Sequence, residues 1–354
     1  MSSMPTVWIL GAGFSQALGA PLFRDLFQSE ERIDNSGYQV HPHTTNVLLL
    51  YRRFGPRLEG REGRGQVWRD PEEFIDFIES AKSASGGARE FLEGVIGGVP
   101  VDLIADIARR MLAIECSIFL RGADPTTERW LPYRLWAPRF SREDTIVTFN
   151  YDRVFELLKE KCKAEVAHHE VANHYEVIVP NGNADRQIGE TRDLDCAPIL
   201  KLHGSVDWIA ADGKIRADPA ESLLAMPKTG EEIVLAVPGP NKIGVRDRFG
   251  EIRLLWKVAR DAVQSASRIV FIGYRFPQTD AQSRVEILKA IQEASANGNL
   301  LKVWIVLGPD EKHPDVARML KLLRFVCPER VEVSVLPLYG EDFLSMVGIA
   351  SNLV

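Results

Sequence analysis

The chain has 354 residues, of which 45% are hydrophobic and 26% are charged, and its formal net charge is −6. These proportions are ordinary for a globular protein, and they exclude a disordered or fibrous chain. A net negative charge gives no overall attraction to phosphate backbones, so we do not expect nucleic acid to bind over the whole surface. At about 100–200 residues per domain, the length predicts two domains, or one domain with large insertions.

The cysteines and the apolar runs exclude further classes of protein. The four cysteines are scattered and form no CxxC pair, so neither a zinc ribbon nor a disulfide framework is predicted. No apolar run approaches the ~18 residues that a membrane-spanning helix needs, and the N-terminus has no charged stretch or cleavage signal typical of secretion. We therefore expect a cytoplasmic protein that does not bind membranes.

The first predicted element is a buried strand at Thr6–Leu10, which ends at a glycine-rich turn. A Gly11-x-Gly13 turn between a strand and a helix is typical of phosphate binding, because small residues let the backbone approach an anion. The next glycine is Gly19, so the spacing departs from the GxGxxG of common dinucleotide enzymes. An ordinary dehydrogenase is thus a poor match, and a glycine-rich turn without a ligand stays open at this point.

Residues 31–140 have helical periodicity and are interpreted as an inserted helical subdomain. The clearest helix start is Asp70 as N-cap with Pro71 as the first helical residue. Residues 51–70 contain six arginines, three acids and four glycines. A solvated loop or active-site lid is the favoured interpretation of this segment, and contact with nucleic acid or a partner is the alternative.

The middle and the end of the chain carry the other strands. Apolar runs predict strands at 145–149, 267–273, 301–307 and 331–336, with helices at 153–163 and 280–294. This pattern predicts an α/β fold, a doubly wound parallel Rossmann-like sheet. Residues 164–242 are irregular, and their Asp212-Gly213 hairpin signal predicts a small β-rich insertion. The expected domains are 1–30 with 141–354 for the sheet, and 31–140 for the helical insertion.

Further segments occur in a fixed order along the chain. They are the glycine-rich turn at 11–15 with residues 19–24, then 148–152 (TFNYD), 202–208 (LHGSVDW), 237–242 (VPGPNK) and 271–277 (FIGYRFP) with Asp280. At these segments the chain resembles the prokaryotic sirtuin-like family, over nearly its whole length. The resemblance implies an NAD-binding domain that cleaves the nicotinamide–ribose bond.

The resemblance also implies roles for individual residues. Asn150 and His203 are the implied catalytic residues, and Asp152 approaches the nicotinamide ribose and its amide. The implied NAD-binding residues are Gly11, Ala12, Gly13, Phe14, Ser15, Pro21, Asp152, Gly273, Tyr274 and Asp280. A histidine that titrates near neutral pH suits removal of a proton from a ribose hydroxyl or a water, and an amide can orient that water. Taken alone, Asn150 and Asp152 could instead cap the next helix, and His203 could be a turn residue.

Some residues depart from the family pattern. Sirtuin deacylases carry a four-cysteine zinc module and an aspartate at the position of Leu22, and this chain has neither. Arg275 stands where a small hydroxyl residue is usual, and Gly239 replaces a proline. His168, His169 and His174 have no second ligand arm at metal spacing, so no metal is predicted.

The resemblance therefore implies an NAD glycohydrolase that releases nicotinamide and ADP-ribose. Members that resemble this chain act as NAD-depleting effectors of bacterial defence against phage, which implies a homo-oligomer or a partner ATPase as the control. The chain itself has no GxxxxGK[ST] segment. Two alternatives stay open: a module that binds NAD or ADP-ribose and regulates a partner, and a nuclease that acts with a partner ATPase.

Overall fold

A computed structural model describes residues 4–27, 43–54, 68, 70–84, 86–162, 174–180, 195–218, 231–236, 249–277, 280–296, 300–327 and 330–349. Across these ranges the strands are β1 Thr6–Leu10, β2 Thr145–Thr148, β3 Tyr175–Val177, β4 Ala197–Lys201, β5 Gly204–Ala211, β6 Lys214–Ala217, β7 Glu231–Leu235, β8 Arg268–Ile272, β9 Leu301–Val306 and β10 Val331–Val335. The helices are α1 Ala12–Ser15, α2 Thr44–Phe54, α3 Pro71–Ser83, α4 Gly87–Val95, α5 Val101–Glu115, α6 Leu131–Trp136, α7 Val154–Lys161, α8 Gly250–Ser265, α9 Ala281–Ala296, α10 Pro314–Val326 and α11 Gly340–Ile349.

The main sheet has the strand order β10-β9-β8-β1-β2-β4-β3, and every neighbouring pair is parallel. The first strand of the chain lies in the interior of this sheet, where Ile9 pairs with Val147 on one side and with Phe271 on the other. The predicted α/β fold with a parallel Rossmann-like sheet is confirmed. In such sheets, ligands bind outside the carboxyl ends of the strands, where the strand order reverses.

Each face of this sheet is covered by helices. Successive residues of β1 enter opposite cores, with Val7 and Ile9 on the side of α8, α9 and α10. Trp8 and Leu10 pack on the side of α6, α7 and α11. Because both faces are buried, the central strands have continuous apolar sequences with no polar alternation. This burial explains why their positions could be predicted from the sequence.

Residues 164–242 contribute to two sheets. The expected β-rich insertion is the antiparallel sheet β6-β5-β7, and its hairpin turns at Asp212 and Gly213, both with positive φ, as the sequence indicated. The same stretch also supplies β3 and β4 to the main sheet, which the sequence interpretation did not assign there. Strand β4 contains Pro198 and the charged Lys201, so it lacks the simple apolar pattern of its neighbours.

The helices α2 to α5 share a hydrophobic core of their own, which also contacts β5 and β7. Arg109 of α5 connects this subdomain to the small sheet, because its guanidinium pairs with Glu79 of α3 and with Glu232 of β7. Helix α6 packs instead against α11 and the core of the main sheet. The domain bounds 1–30, 31–140 and 141–354 stay a prediction.

The N-cap of α3 is the one that the sequence predicted. The Asp70 carboxylate accepts a hydrogen bond of 2.9 Å from the backbone N–H of Glu73, and Pro71 is the first helical residue. We expect Asp70→Ala to lower the free energy of unfolding by about 1 kcal/mol, because one helix-end donor loses its partner. Urea unfolding measures this loss. Asp70→Asn keeps an oxygen acceptor, so its free energy of unfolding should fall far less. Equal decreases in the two variants would contradict the capping role.

Candidate functional site

The glycine turn after β1 packs directly on the turn after β8. The Gly11 N–H donates a 3.0 Å hydrogen bond to Ile272 O, and a Cβ on Gly11 would lie 2.7 Å from Gly273 O. A Cβ on Gly13 would lie 2.8 Å from the Gly273 Cα. Any larger residue would push the two turns apart, so this close approach of two backbones requires glycine.

A cavity of about 320 Å³ lies beside these turns, at the carboxyl ends of β1, β2, β4 and β8. Ten of the twelve residues predicted for the site line it: Gly11, Ala12, Gly13, Pro21, Asn150, Asp152, His203, Gly273, Tyr274 and Asp280. They come from segments far apart in sequence. The structure therefore brings the glycine turn, Asn150 with Asp152, His203, and Gly273 with Asp280 together at one edge of the sheet, and among the described residues none fills the cavity beside the glycine turn.

The other two predicted residues, Phe14 and Ser15, lie behind the cavity. The Phe14 ring is buried in the core and stacks on Phe155. Ser15 is fully buried, and its hydroxyl donates a 2.7 Å hydrogen bond to Asp152 Oδ2. These side chains hold the turn in place from the side away from the cavity.

Asn150 is tied to the glycine turn by its amide nitrogen. Nδ2 donates to Gly11 O at 3.0 Å and to Ser15 Oγ at 3.2 Å. Both hydrogen bonds that the structure gives to this side-chain amide are thus donated, which leaves the carbonyl oxygen Oδ1 to accept a hydrogen bond from a water or ligand. Asn150 therefore does not cap the next helix.

Asp152 has a structural role in addition to its place at the cavity. Its Oδ1 accepts a 3.1 Å hydrogen bond from the N–H of Val154, where α7 begins. Burial raises the pKa of Asp152 above its ordinary value, although Lys201 and the Ser15 hydroxyl act in the opposite direction. Removal from water penalises the charged form more than these partners favour it.

The buried Lys201 lies under this segment, and the sequence interpretation missed it. Its ammonium group donates to the backbone oxygen of Asp152 at 2.6 Å, to Glu156 at 2.9 Å and to Ser205 at 2.6 Å. A buried ammonium group is tolerated only with such partners. Lys201 directly precedes the LHG segment, so the only sequence signal was a charged residue beside a predicted catalytic histidine.

His203 is buried at the other side of the cavity. Its Nε2 lies 3.2 Å from Ser283 Oγ and 3.5 Å from Asp280 Oδ2. The Phe149 ring meets the imidazole edge to face, with a centroid distance of 4.9 Å. Asn150 and His203 therefore line the same cavity, and their catalytic roles stay a prediction. Ser283 was not predicted, since it falls outside every segment of the resemblance.

The other residues of the cavity wall were not among the predicted site residues, although some of them lie in the segments of the resemblance. Glu72, Cys116 and Phe119 come from the helical part of the chain, and Phe23 and Leu26 extend the apolar surface. Helical periodicity showed that these helices bury one face, but not what that face covers. Arg275 is the single arginine or lysine among the lining residues that the structure describes.

Some sequence predictions concern residues outside the described ranges. They are most of the arginine-rich segment 51–70, the segment 237–242, and His168 and His169. Within the described ranges, no group of three or more His, Cys, Asp or Glu side chains is placed to hold a metal ion. No described helix combines the length and the apolar character needed to cross a bilayer.

No family model and no curated protein matches the sequence. Among solved structures, the chain is similar to one described as "Structure of Sir2Tm bound to a propionylated peptide", with a TM-score of 0.34 and 12% sequence identity. The match covers 98% of this chain and 92% of that chain. The α/β fold class stated above rests on the strand order itself.

Proposed function

We propose that this protein is an NAD glycohydrolase, which hydrolyses the bond between nicotinamide and ribose and releases ADP-ribose. The observation that carries the proposal is the convergence of Asn150 and His203 on one cavity beside the glycine turn. The identity of the ligand comes from the ordered segments that resemble the prokaryotic sirtuin-like family. At about 320 Å³, the cavity is at the lower end of the range for small-molecule sites.

In this proposal, a water attacks C1′ of the nicotinamide ribose as the bond from C1′ to the ring nitrogen breaks. The electron pair leaves with nicotinamide, and His203 takes the proton of the water. The Asn150 Oδ1 accepts a hydrogen bond from the water and so orients it. Since nicotinamide leaves as a neutral ring, positive charge develops on the ribose, and the acidic Asp152 beside the cavity suits that charge.

Arg275 is the candidate contact for the pyrophosphate. Its Nη1 lies 3.3 Å from Asp315, but Arg318 shares that carboxylate at 2.8 Å, so one anion serves two guanidinium groups. The single negative charge of Asp315 therefore does not neutralise both guanidinium groups, and Arg275 lines the cavity. Arginine is well suited to phosphate oxygens, because its donors bind them in pairs.

We expect Arg275→Gln to raise the KM for NAD by about 10-fold, with little change in kcat, because a binding contact far from the reacting bond is removed. Steady-state kinetics of nicotinamide release measure both constants. The matched control is Arg142→Gln, at an exposed arginine that pairs with its neighbour Glu143. An unchanged KM in Arg275→Gln would contradict the proposed contact between Arg275 and the pyrophosphate.

The resemblance also implies a biological role, which we propose with the activity. A protein that depletes NAD in bacterial defence against phage must be held inactive until infection. Formation of a homo-oligomer, or association with a partner ATPase, would supply this control. These partners stay predictions.

The proposed activity is tested by incubating the purified protein with NAD, alone and with candidate partners, and by measuring released nicotinamide. Binding of ADP-ribose is measured in parallel by calorimetry. Release of nicotinamide and ADP-ribose in equal amounts is the expected result. Tight binding without turnover under every condition would favour a regulatory module. Cleavage of added DNA without loss of NAD would favour the nuclease.

A further inference from the structure

The start of helix α9 lies against the imidazole of His203. Asp280 directly precedes α9, and Ser283 lies in its first turn. The Asp280 side chain is 1% exposed, although the sequence predicted it as an NAD contact. Its Oδ2 lies 3.5 Å from His203 Nε2 and accepts a 3.2 Å hydrogen bond from the Tyr274 hydroxyl. This oxygen therefore already serves two protein groups.

The described aromatic side chains beside the imidazole carry no charge near neutral pH. Phe149 and Tyr151 present their rings from the segment after β2, and Tyr274 comes from the segment after β8. Burial raises the pKa of Tyr151 and of Tyr274 well above the ordinary value, and the charge of Asp280 adds to both. Asp152 and Glu72 line the same cavity. Asp280 thus places a carboxylate within ion-pair distance of the ring.

We propose that Asp280 is a positioning residue for His203: it keeps Nε2 turned toward α9 and stabilises the imidazolium that forms when the ring takes a proton. Ser283 holds the same nitrogen by its 3.2 Å contact. An acid that orients a catalytic histidine in this way is a known arrangement in hydrolases with other folds. The inference rests on the proposed function, because in that function His203 accepts the proton of the attacking water.

The first test needs no turnover. We propose to titrate the His203 ring by NMR in wild type and in Asp280→Asn, after assigning its signals among the seven histidines with His203→Gln. Loss of an adjacent negative charge should lower the pKa of His203 by about 1. Ser283→Ala removes a hydrogen-bonding group but no charge, so its effect should be smaller. An unchanged titration in Asp280→Asn would overturn the inference, whether or not the protein cleaves NAD.

The second test uses the pH profile of nicotinamide release. In Asp280→Asn we expect kcat to fall by about 10-fold or more, the KM for NAD to stay nearly constant, and the rising limb of kcat/KM to move to lower pH. Thermal unfolding of the variant checks that it is folded. A higher KM with an unchanged kcat would instead make Asp280 a contact for NAD and would overturn the positioning role. Absence of turnover in wild type would count against the proposed function, while the NMR result still decides the inference.

Discussion

Replacing Asn150 by alanine is expected to slow nicotinamide release by about 10²-fold or more, which is the usual effect of removing a polar group that acts in the transition state. The amide nitrogen of Asn150 is held by Gly11 O and Ser15 Oγ, so the whole amide group, including Oδ1, is held in one orientation at the cavity wall. A fixed acceptor orients the water without any cost of reorganisation. Single-turnover measurements of nicotinamide release separate this effect from product release.

Asn150→Ala also removes two hydrogen bonds to the glycine turn, so a control must separate catalysis from support of the turn. Tyr133→Phe serves this purpose, because the Tyr133 hydroxyl donates a 2.6 Å hydrogen bond to Phe14 O on the far side of the same turn. We expect this variant to lose about 1 kcal/mol of stability and to keep its activity. Equal losses of activity in the two variants would show that Asn150 acts only through the turn.

The second large effect is expected at Gly204, the residue after His203. Its φ is +80°, and a Cβ there would lie 1.9 Å from Val234 O on the paired strand β7. Gly204→Ala should therefore lower the free energy of unfolding by about 3 kcal/mol or more, because the left-handed backbone and the backbone collision both add a cost. Chemical unfolding measures the loss, and His203 should move with the strand.

Gly213 provides a matched control in the β5–β6 hairpin. Its φ is +72°, yet a Cβ there would meet nothing within 4 Å. Gly213→Ala therefore carries only the cost of the left-handed backbone, about 1 kcal/mol. The difference in unfolding free energy between the two variants measures the cost of placing a Cβ where β5 and β7 approach each other closely. Similar losses at the two positions would contradict the position of Gly204 against Val234.

Much of the main sheet could be predicted from the sequence, because its central strands are buried on both faces. Thr6–Leu10 and Arg268–Ile272 therefore have apolar runs that end at glycine turns. Strand β4 could not be recognised in this way, since Lys201 makes it look exposed. The lysine can be buried because Glu156, Ser205 and the backbone oxygen of Asp152 surround it, and two of these partners, Glu156 and Asp152, are more than forty residues away in the chain.

Only part of the candidate site could be indicated from the sequence. A resemblance over short segments indicated Asn150, Asp152 and His203, which do line the cavity. It could not show that the Asp280 carboxylate turns toward an imidazole, because this depends on how α9 packs on the sheet. Nor could the sequence show that Cys116 lines the cavity. An amphipathic pattern identifies the apolar face of a helix, but it does not identify what that face packs against.

The interior position of β1 has a consequence for synthesis of the protein. This strand leaves the ribosome well before its two neighbours, β2 and β8, which begin at Thr145 and Arg268. Closing such long loops is slow, and pairing with β8 must wait until residues 268–272 have been translated. The pocket beside Gly273 therefore cannot form before Gly273 has been translated, so in the proposed function a nascent chain shorter than this has no complete site for NAD.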